Sequence, residues 1–74
     1  MRDEIKGLMA VEGLEFILGY MRKHGQSVLL NWGEDDTLWE CSWITGGERF
    51  TGVSNHTPRA AVMRCLDKVL ESLP

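Results

Sequence analysis

The chain has few of the features that mark a secreted or membrane-spanning protein. It contains two cysteines, Cys41 and Cys65, without a CxxC spacing, and two prolines among 74 residues. No apolar run approaches the roughly 20 residues that a membrane span needs, and Asp3 and Glu4 stand where a signal peptide would be basic. We therefore expect a cytoplasmic protein without a membrane partner. Both thiols are expected to be buried and free, with a Cys41–Cys65 disulfide as the alternative.

Positive charge is also scarce. The chain has 8 Lys and Arg residues against 11 Asp and Glu residues, which gives a formal net charge of −3. Broad binding to a phosphate backbone depends on a cationic surface that displaces counterions, so this balance does not favour nucleic acid as a partner. An acidic protein more often meets a basic protein surface.

Signatures of catalysis and of metal or cofactor binding are missing as well. There is no GxSxG elbow, no Gly-rich phosphate loop and no pair of acids at a recognisable spacing. Ser54 and His56 supply residue types for a nucleophile and a base, but without a motif. His24, Cys41, His56 and Cys65 come singly along the chain, whereas zinc modules bring their ligands in closely spaced pairs. We predict that the protein is not an enzyme and needs no metal or cofactor.

Apolar periodicity predicts helical structure before and after a central β region, within a single domain covering residues 1–74. From Asp3 to His24, apolar residues recur at three- and four-residue steps: Ile5, Leu8, Met9, Phe16, Ile17, Tyr20 and Met21. Gly13 interrupts this pattern, so the segment is either one weakened helix or a short turn of helix followed by a stronger one from Leu14. Gly25 is expected to end it in the left-handed conformation.

The second predicted helix has clearer boundaries. Thr57 can cap it with its hydroxyl, and Pro58 suits the first helical position, where its missing N–H costs nothing. An apolar stripe then follows the helical period: Val62, Cys65, Leu66, Val69, Leu70 and Leu73.

The stretch from Thr37 to Ser54 predicts two strands joined at Gly46-Gly47 by a type I′ or II′ loop. This register pairs Thr45 with Glu48, Trp43 with Phe50, Cys41 with Gly52 and Trp39 with Ser54. A further strand is predicted over residues 26–32. With Trp32 opposite Thr37, it sets Leu30 beside Trp39 and Val28 beside Cys41.

The predicted fold class is therefore α+β, in the order helix, three-stranded antiparallel meander, helix. We expect at least the second helix to cover the sheet face that carries Trp39, Cys41 and Trp43. Gly52 lies opposite Cys41 on that face and would leave space for a helix to come close.

Two surfaces are candidate partner-binding sites. One is the outer face of the sheet, where aliphatic side chains accompany one acid and one base: Leu29, Ile44 and Val53 with Glu40 and Arg49. The alternatives are that a helix covers this face or that scattered aliphatic residues there have no function. The other is the acidic segment Glu34, Asp35 and Asp36, together with neighbouring Trp32 and Glu40. Trp39 and Trp43 are expected in the core, while Trp32 could lie in the core or contact a ligand.

The order of elements resembles the double-stranded-RNA-binding domain over most of the chain. Thr51-Gly52-Val53-Ser54 followed by a helix with Ala60-Ala61 is similar to the second half of that family. Its RNA-binding members carry lysines at the start of the second helix and a Gly-Pro-x-His loop. This chain has Arg59 and an acidic loop there, so the resemblance implies the topology rather than RNA binding.

A second resemblance rests on the strand from Leu38 to Trp43, the glycine hairpin and the helix Thr-Pro-Arg-Ala-Ala-Val-Met-Arg-Cys-Leu. These look like the small phage and prophage proteins grouped as the phage α-β-α sandwich domain. Small acidic phage products include many inhibitors of host defence, anti-CRISPR proteins among them. The resemblance implies a phage-encoded inhibitor acting in the host cytoplasm.

The function that these observations favour is a protein-binding module, acting as an inhibitor that occupies a basic surface of a host protein or complex. A homodimer through Leu29, Ile44 and Val53 is a further possibility. The alternative is a degenerate double-stranded-RNA-binding-like domain that serves in homodimerisation or nucleic-acid binding.

Overall fold

A computed structural model describes residues 2–32 and 38–73. It has the element order α1 (Arg2–Met9), α2 (Leu14–His24), β1 (Ser27–Trp32), β2 (Trp39–Thr45), β3 (Glu48–Ser54) and α3 (Pro58–Ser72). The strands form one antiparallel sheet in the order β1-β2-β3. The α+β class and the three-stranded meander are therefore as expected, but there are three helices rather than two. None of the described helices has the length and hydropathy to cross a bilayer.

The additional helix arises because the N-terminal helical segment is broken before Gly13, so of the two alternatives left open by the sequence the one with a second helix from Leu14 is correct. Residues 10–13 connect α1 to α2 outside helical geometry, and Gly13 occupies the N-cap position without a side-chain hydrogen bond. The connection itself is held from elsewhere in the chain. The guanidinium of Arg59 donates to the carbonyl oxygen of Glu12 at 2.8 Å and also to that of Val11. A residue on α3 thus holds the connection between the first two helices.

The β2–β3 hairpin has the predicted register from Thr45 opposite Glu48 to Trp39 opposite Ser54. Gly46 and Gly47 both have positive φ, at 60° and 81°, which is the requirement of a type I′ turn. The twist of this turn matches the twist of the two strands, so the two glycines fix every pairing that follows.

The predicted pairing of β1 with β2 was wrong by two residues. Trp32 lies opposite Trp39, not Thr37, and Leu30 and Val28 lie opposite Cys41 and Trp43. Because side chains alternate with period two, a shift of two leaves every side chain on the expected face. Thr37 itself lies outside the described residues.

All the buried side chains of the sheet lie on one face, and the helices pack there. Cys41 and Trp43 are fully buried against core residues from each helix: Ile5 and Leu8 of α1, Ile17 and Met21 of α2, and Ala61, Val62, Cys65, Leu66 and Val69 of α3. The opposite face of the sheet carries no helix among the described elements. The architecture is therefore two layers, with helices on one side of the sheet only.

Gly52 allows α3 to lie directly on β3. A Cβ atom at this position would come within 2.8 Å of the Arg64 carbonyl carbon and closer still to backbone atoms of Cys65 and Ala61. The predicted close approach of a helix at Gly52 is confirmed. The helix itself starts as expected, since Thr57 Oγ1 accepts a hydrogen bond from the Ala60 backbone N–H at 3.0 Å and Pro58 begins the first turn.

Trp43 joins the sheet to the end of α2. Its buried indole N–H donates to the carbonyl oxygen of Met21 at 2.8 Å, in the last helical turn, where carbonyl groups run out of partners within the helix. Gly25 follows with φ −139°, so the expected left-handed conformation was wrong. The glycine is needed for space instead, because a Cβ would lie 2.7 Å from the Ile44 carbonyl oxygen and would collide with the Trp43 ring.

Candidate partner-binding surface

The outer face of the sheet is a continuous surface of nine side chains in three cross-strand rows. We call it the outer face: Ser27, Ile44 and Arg49; Leu29, Ser42 and Thr51; Asn31, Glu40 and Val53. Leu29 is 55% exposed and Val53 is 39% exposed. The alternation of β-strand side chains directs all nine away from the helices. The alternative that a helix covers this face does not hold for the described part of the chain.

The two charges on the outer face lie apart. Arg49 belongs to the first row and Glu40 to the third, four residues along the ladder, which is roughly 13 Å at strand spacing. Within residues 2–32 and 38–73, neither side chain has a hydrogen bond or an ion pair. An acid and a base are therefore both available to a molecule that covers the row of Leu29, Ser42 and Thr51 between them.

Trp32 is separated from the outer face. Its side chain lies on the helix-covered side of the sheet, at the end where β1 stops, and it is 40% exposed. Its ring meets that of Trp39 edge to face, with centroids 5.0 Å apart and an interplanar angle of 73°. Trp32 is thus both a packing partner of Trp39 and a partly open surface residue. The acidic residues that follow it in the sequence, Glu34, Asp35 and Asp36, lie outside the described residues.

The residues considered for catalysis are not brought together. Ser54 is 1% exposed, and its Oγ accepts a hydrogen bond from the backbone N–H of His56 at 3.1 Å, so the hydroxyl closes the turn that leads into α3. No group of three or more potential metal ligands occurs among the described residues. The side chains available for chemistry are thus dispersed in the described part of the fold.

Cys41 and Cys65 are neighbours in the core, and both are free. The hydrogen bond that Cys41 shares with Cys65, together with desolvation by burial, raises the pKa of the Cys41 thiol. The Cys65 Sγ also donates to the carbonyl oxygen of Phe50 at 3.3 Å. The two thiols behave as small buried apolar groups with satisfied hydrogen bonds, which confirms the expected free state.

A second exposed surface was missed because Phe16 was counted with the apolar residues of a core-facing stripe. Phe16 is 65% exposed, while Ile17 and Met21 carry the buried side of α2. The spacing places Phe16, with Tyr20 and His24 at four-residue steps, on a different side of the helix from Ile17 and Met21, but it does not show which side is buried. The rings of Tyr20 and His24 are stacked at 4.2 Å.

Tyr20 also connects α2 to α1. Its hydroxyl donates to Glu4 Oε2 at 2.7 Å. This hydrogen bond lowers the pKa of Glu4 and raises the pKa of Tyr20. Tyr20 is therefore turned toward α1, and Phe16 is left as the large apolar side chain that points away from the body of the protein.

Comparison of the chain with models of known protein families, with curated proteins and with solved structures finds no match in any of the three.

Proposed function

We propose that the protein is a non-enzymatic binding module whose outer face contacts another protein. The observation that carries this proposal is the one-sided arrangement of the helices. In a chain of 74 residues nearly every large apolar side chain is needed for the core. Leu29 and Val53 are nevertheless placed on the uncovered side of the sheet.

The charge of the chain indicates the chemistry of the partner. The net charge is −3, and three consecutive acids, Glu34, Asp35 and Asp36, follow β1 in the sequence. A target with a basic surface would attract this segment over distance, while an apolar patch beside that surface would dock on Leu29 and Val53. Together with the resemblance to small phage proteins, this favours an inhibitor of a bacterial defence complex. Such an inhibitor acts in the host cytoplasm by occupying a basic surface of its target.

The alternative, a degenerate double-stranded-RNA-binding-like domain, has less support. Arg59 at the start of α3 is engaged with the carbonyl oxygens of Val11 and Glu12, and Arg64 donates to the carbonyl oxygen of Val53 at 2.6 Å. Arginines committed to backbone carbonyls are poorly placed to neutralise phosphates. Binding of the protein to duplex RNA at low salt would favour this alternative over the proposed function.

A quantitative capture experiment tests the proposal. The full chain is immobilised and exposed to nuclease-treated bacterial lysate, and bound proteins are quantified for the wild type and three variants. Leu29→Glu alters the outer face, the triple change of Glu34, Asp35 and Asp36 to Lys reverses the acidic segment, and Asp67→Lys, at an exposed position of α3, is the control. We expect one specific partner with a basic surface, lost in the first two variants and kept in the control.

The melting temperature of each variant separates loss of binding from loss of folding. Leu29 and Asp67 are exposed, so neither substitution removes a core contact. Capture that is unchanged by Leu29→Glu in a folded variant would contradict the proposed outer-face contact.

A further inference from the structure

The side of α2 that faces away from the core carries an exposed aromatic ring next to a position that has no side chain. Phe16 is 65% exposed, and Gly19, one turn later, has no side chain. Residues three apart lie on the same side of a helix, so the ring and the gap are neighbours. A groove of about 320 Å³ is lined here by Phe16, Gly19, Tyr20, Lys23 and His24.

Nothing within the described protein requires a glycine at position 19. A Cβ built there would meet no atom within 4 Å, and the residue lies in the interior of an α-helix. Glycine lowers the stability of a helix interior relative to alanine, because it loses more backbone freedom on folding. This contrasts with Gly52 and Gly25, where neighbouring atoms exclude a side chain. The gap at Gly19 is thus open to an approach from outside the chain.

The charges along α2 indicate what approaches. Glu12 and Glu15 lie at or just before its start, and Arg22 and Lys23 lie in its last turn. All four are exposed, and none has a hydrogen bond or ion pair through its side chain within residues 2–32 and 38–73. A helix with one acidic end and one basic end is complementary to a second copy of itself in the antiparallel direction.

We propose that two copies of the chain associate through antiparallel α2 helices, with Phe16 of each copy in the groove at Gly19 of the other. A two-fold axis between residues 16 and 19 makes both ring-in-groove contacts at once, because an isologous interface repeats each contact. The same axis sets the first turn of one copy, which carries Glu15, beside the last turn of the other, which carries Arg22, twice.

This pairing leaves the outer face of both copies open, because α2 and the outer face lie on opposite sides of the sheet. The dimer would present two outer faces, so the inference extends the proposed function without depending on it. A homodimer through Leu29, Ile44 and Val53 would instead cover the outer face, and the two arrangements respond to different substitutions.

Analytical ultracentrifugation of the full chain tests the proposal at protein concentrations from about 10 μM to 1 mM, a range that suits a small interface. We expect the wild type to approach twice the monomer mass as the concentration rises. Phe16→Ser and Gly19→Gln should weaken association by about tenfold or more. Gly19→Gln should also raise the melting temperature of the dilute protein, because it replaces a helical glycine in open space, and this shows that the variant is folded.

Charge reversal identifies the pairing. Glu15→Lys and Arg22→Glu should each be monomeric, since each creates two repulsive contacts in the homodimer. An equimolar mixture of the two should dimerise, because both contacts become attractive. A mixture of Lys68→Glu and Glu71→Lys, both at exposed positions of α3, should behave as the wild type. A wild type that stays monomeric would overturn the proposal. A dimer that survives Phe16→Ser and Gly19→Gln but not Leu29→Glu would also overturn it.

Discussion

The substitution Gly52→Ala tests the contact on which the two-layer packing depends. The added methyl group would lie within 2.8 Å of the Arg64 carbonyl carbon and closer still to atoms of Cys65 and Ala61. All three are backbone atoms of α3, so no side-chain rotation relieves the overlap, and the helix must move off β3. Overpacking of this kind costs about 3 kcal/mol or more.

That cost is a large part of the free energy of unfolding of a domain this small. At roughly 4–8 °C per kcal/mol for a domain of this size, the melting temperature should fall by about 12–24 °C. The assay is thermal unfolding followed by circular dichroism, with urea unfolding to obtain the free energy.

Gly7→Ala is the matched control for this substitution. Gly7 is an exposed residue of α1, and a Cβ there would meet no atom within 4 Å. Alanine should stabilise the helix by up to about 1 kcal/mol, so the same chemical change has the opposite sign at the two sites. A melting temperature for Gly52→Ala equal to that of the wild type would refute the direct contact between α3 and β3.

Three further substitutions or treatments test other contacts. Trp43→Phe removes the buried N–H that donates to the Met21 carbonyl oxygen at 2.8 Å, and the smaller ring leaves a cavity. Urea unfolding should show that the free energy of unfolding falls by about 3 kcal/mol. An unchanged midpoint would contradict that hydrogen bond. Tyr20→Phe removes the partner that lowers the pKa of Glu4, so the stability difference from the wild type should be present at neutral pH and disappear as the pH falls through the pKa of Glu4 in the folded protein. A difference that persists at low pH would contradict a contribution from the carboxylate. Cys41 and Cys65 are fully buried, and the pKa of Cys41 is raised. Alkylation of the two thiols by iodoacetamide should therefore proceed only as fast as the protein unfolds. Rapid modification under native conditions would contradict their burial.

The fold could be predicted wherever the sequence fixes local geometry. Gly46-Gly47 requires a two-residue turn, and this turn sets the whole β2–β3 register. Thr57 and Pro58 define the start of α3 in the same local way. The β1–β2 register was wrong by two residues because the assumed connection began at Gly33 and ended at Asp36, whereas the observed pairing of Trp32 with Trp39 leaves six residues between them. Loop length is not determined by composition.

Long-range contacts explain the remaining errors. The break before α2 depends on Arg59, which is 47 residues from Glu12, and the reason for Gly25 is the ring of Trp43. Gly13 marks the break in the local pattern, but neither the Arg59 contact nor the reason for Gly25 can be inferred from that pattern. The outer face could be predicted, because side-chain alternation decides it once the sheet is known. The exposure of Phe16 could not be separated from burial by periodicity alone, since an aromatic residue fits both sides of a short helix.

The contact from Arg59 to the connection between α1 and α2 has a consequence for the order of assembly. The hairpin and α3 are consecutive in the sequence and need only near neighbours to form. The carbonyl groups of the connection before α2, in contrast, accept hydrogen bonds from a guanidinium that is in place only after α3 has docked. The backbone amides of β2, β3 and α3 should therefore exchange with solvent most slowly. The first two dozen residues should unfold and refold locally as one unit while the hairpin and α3 stay folded.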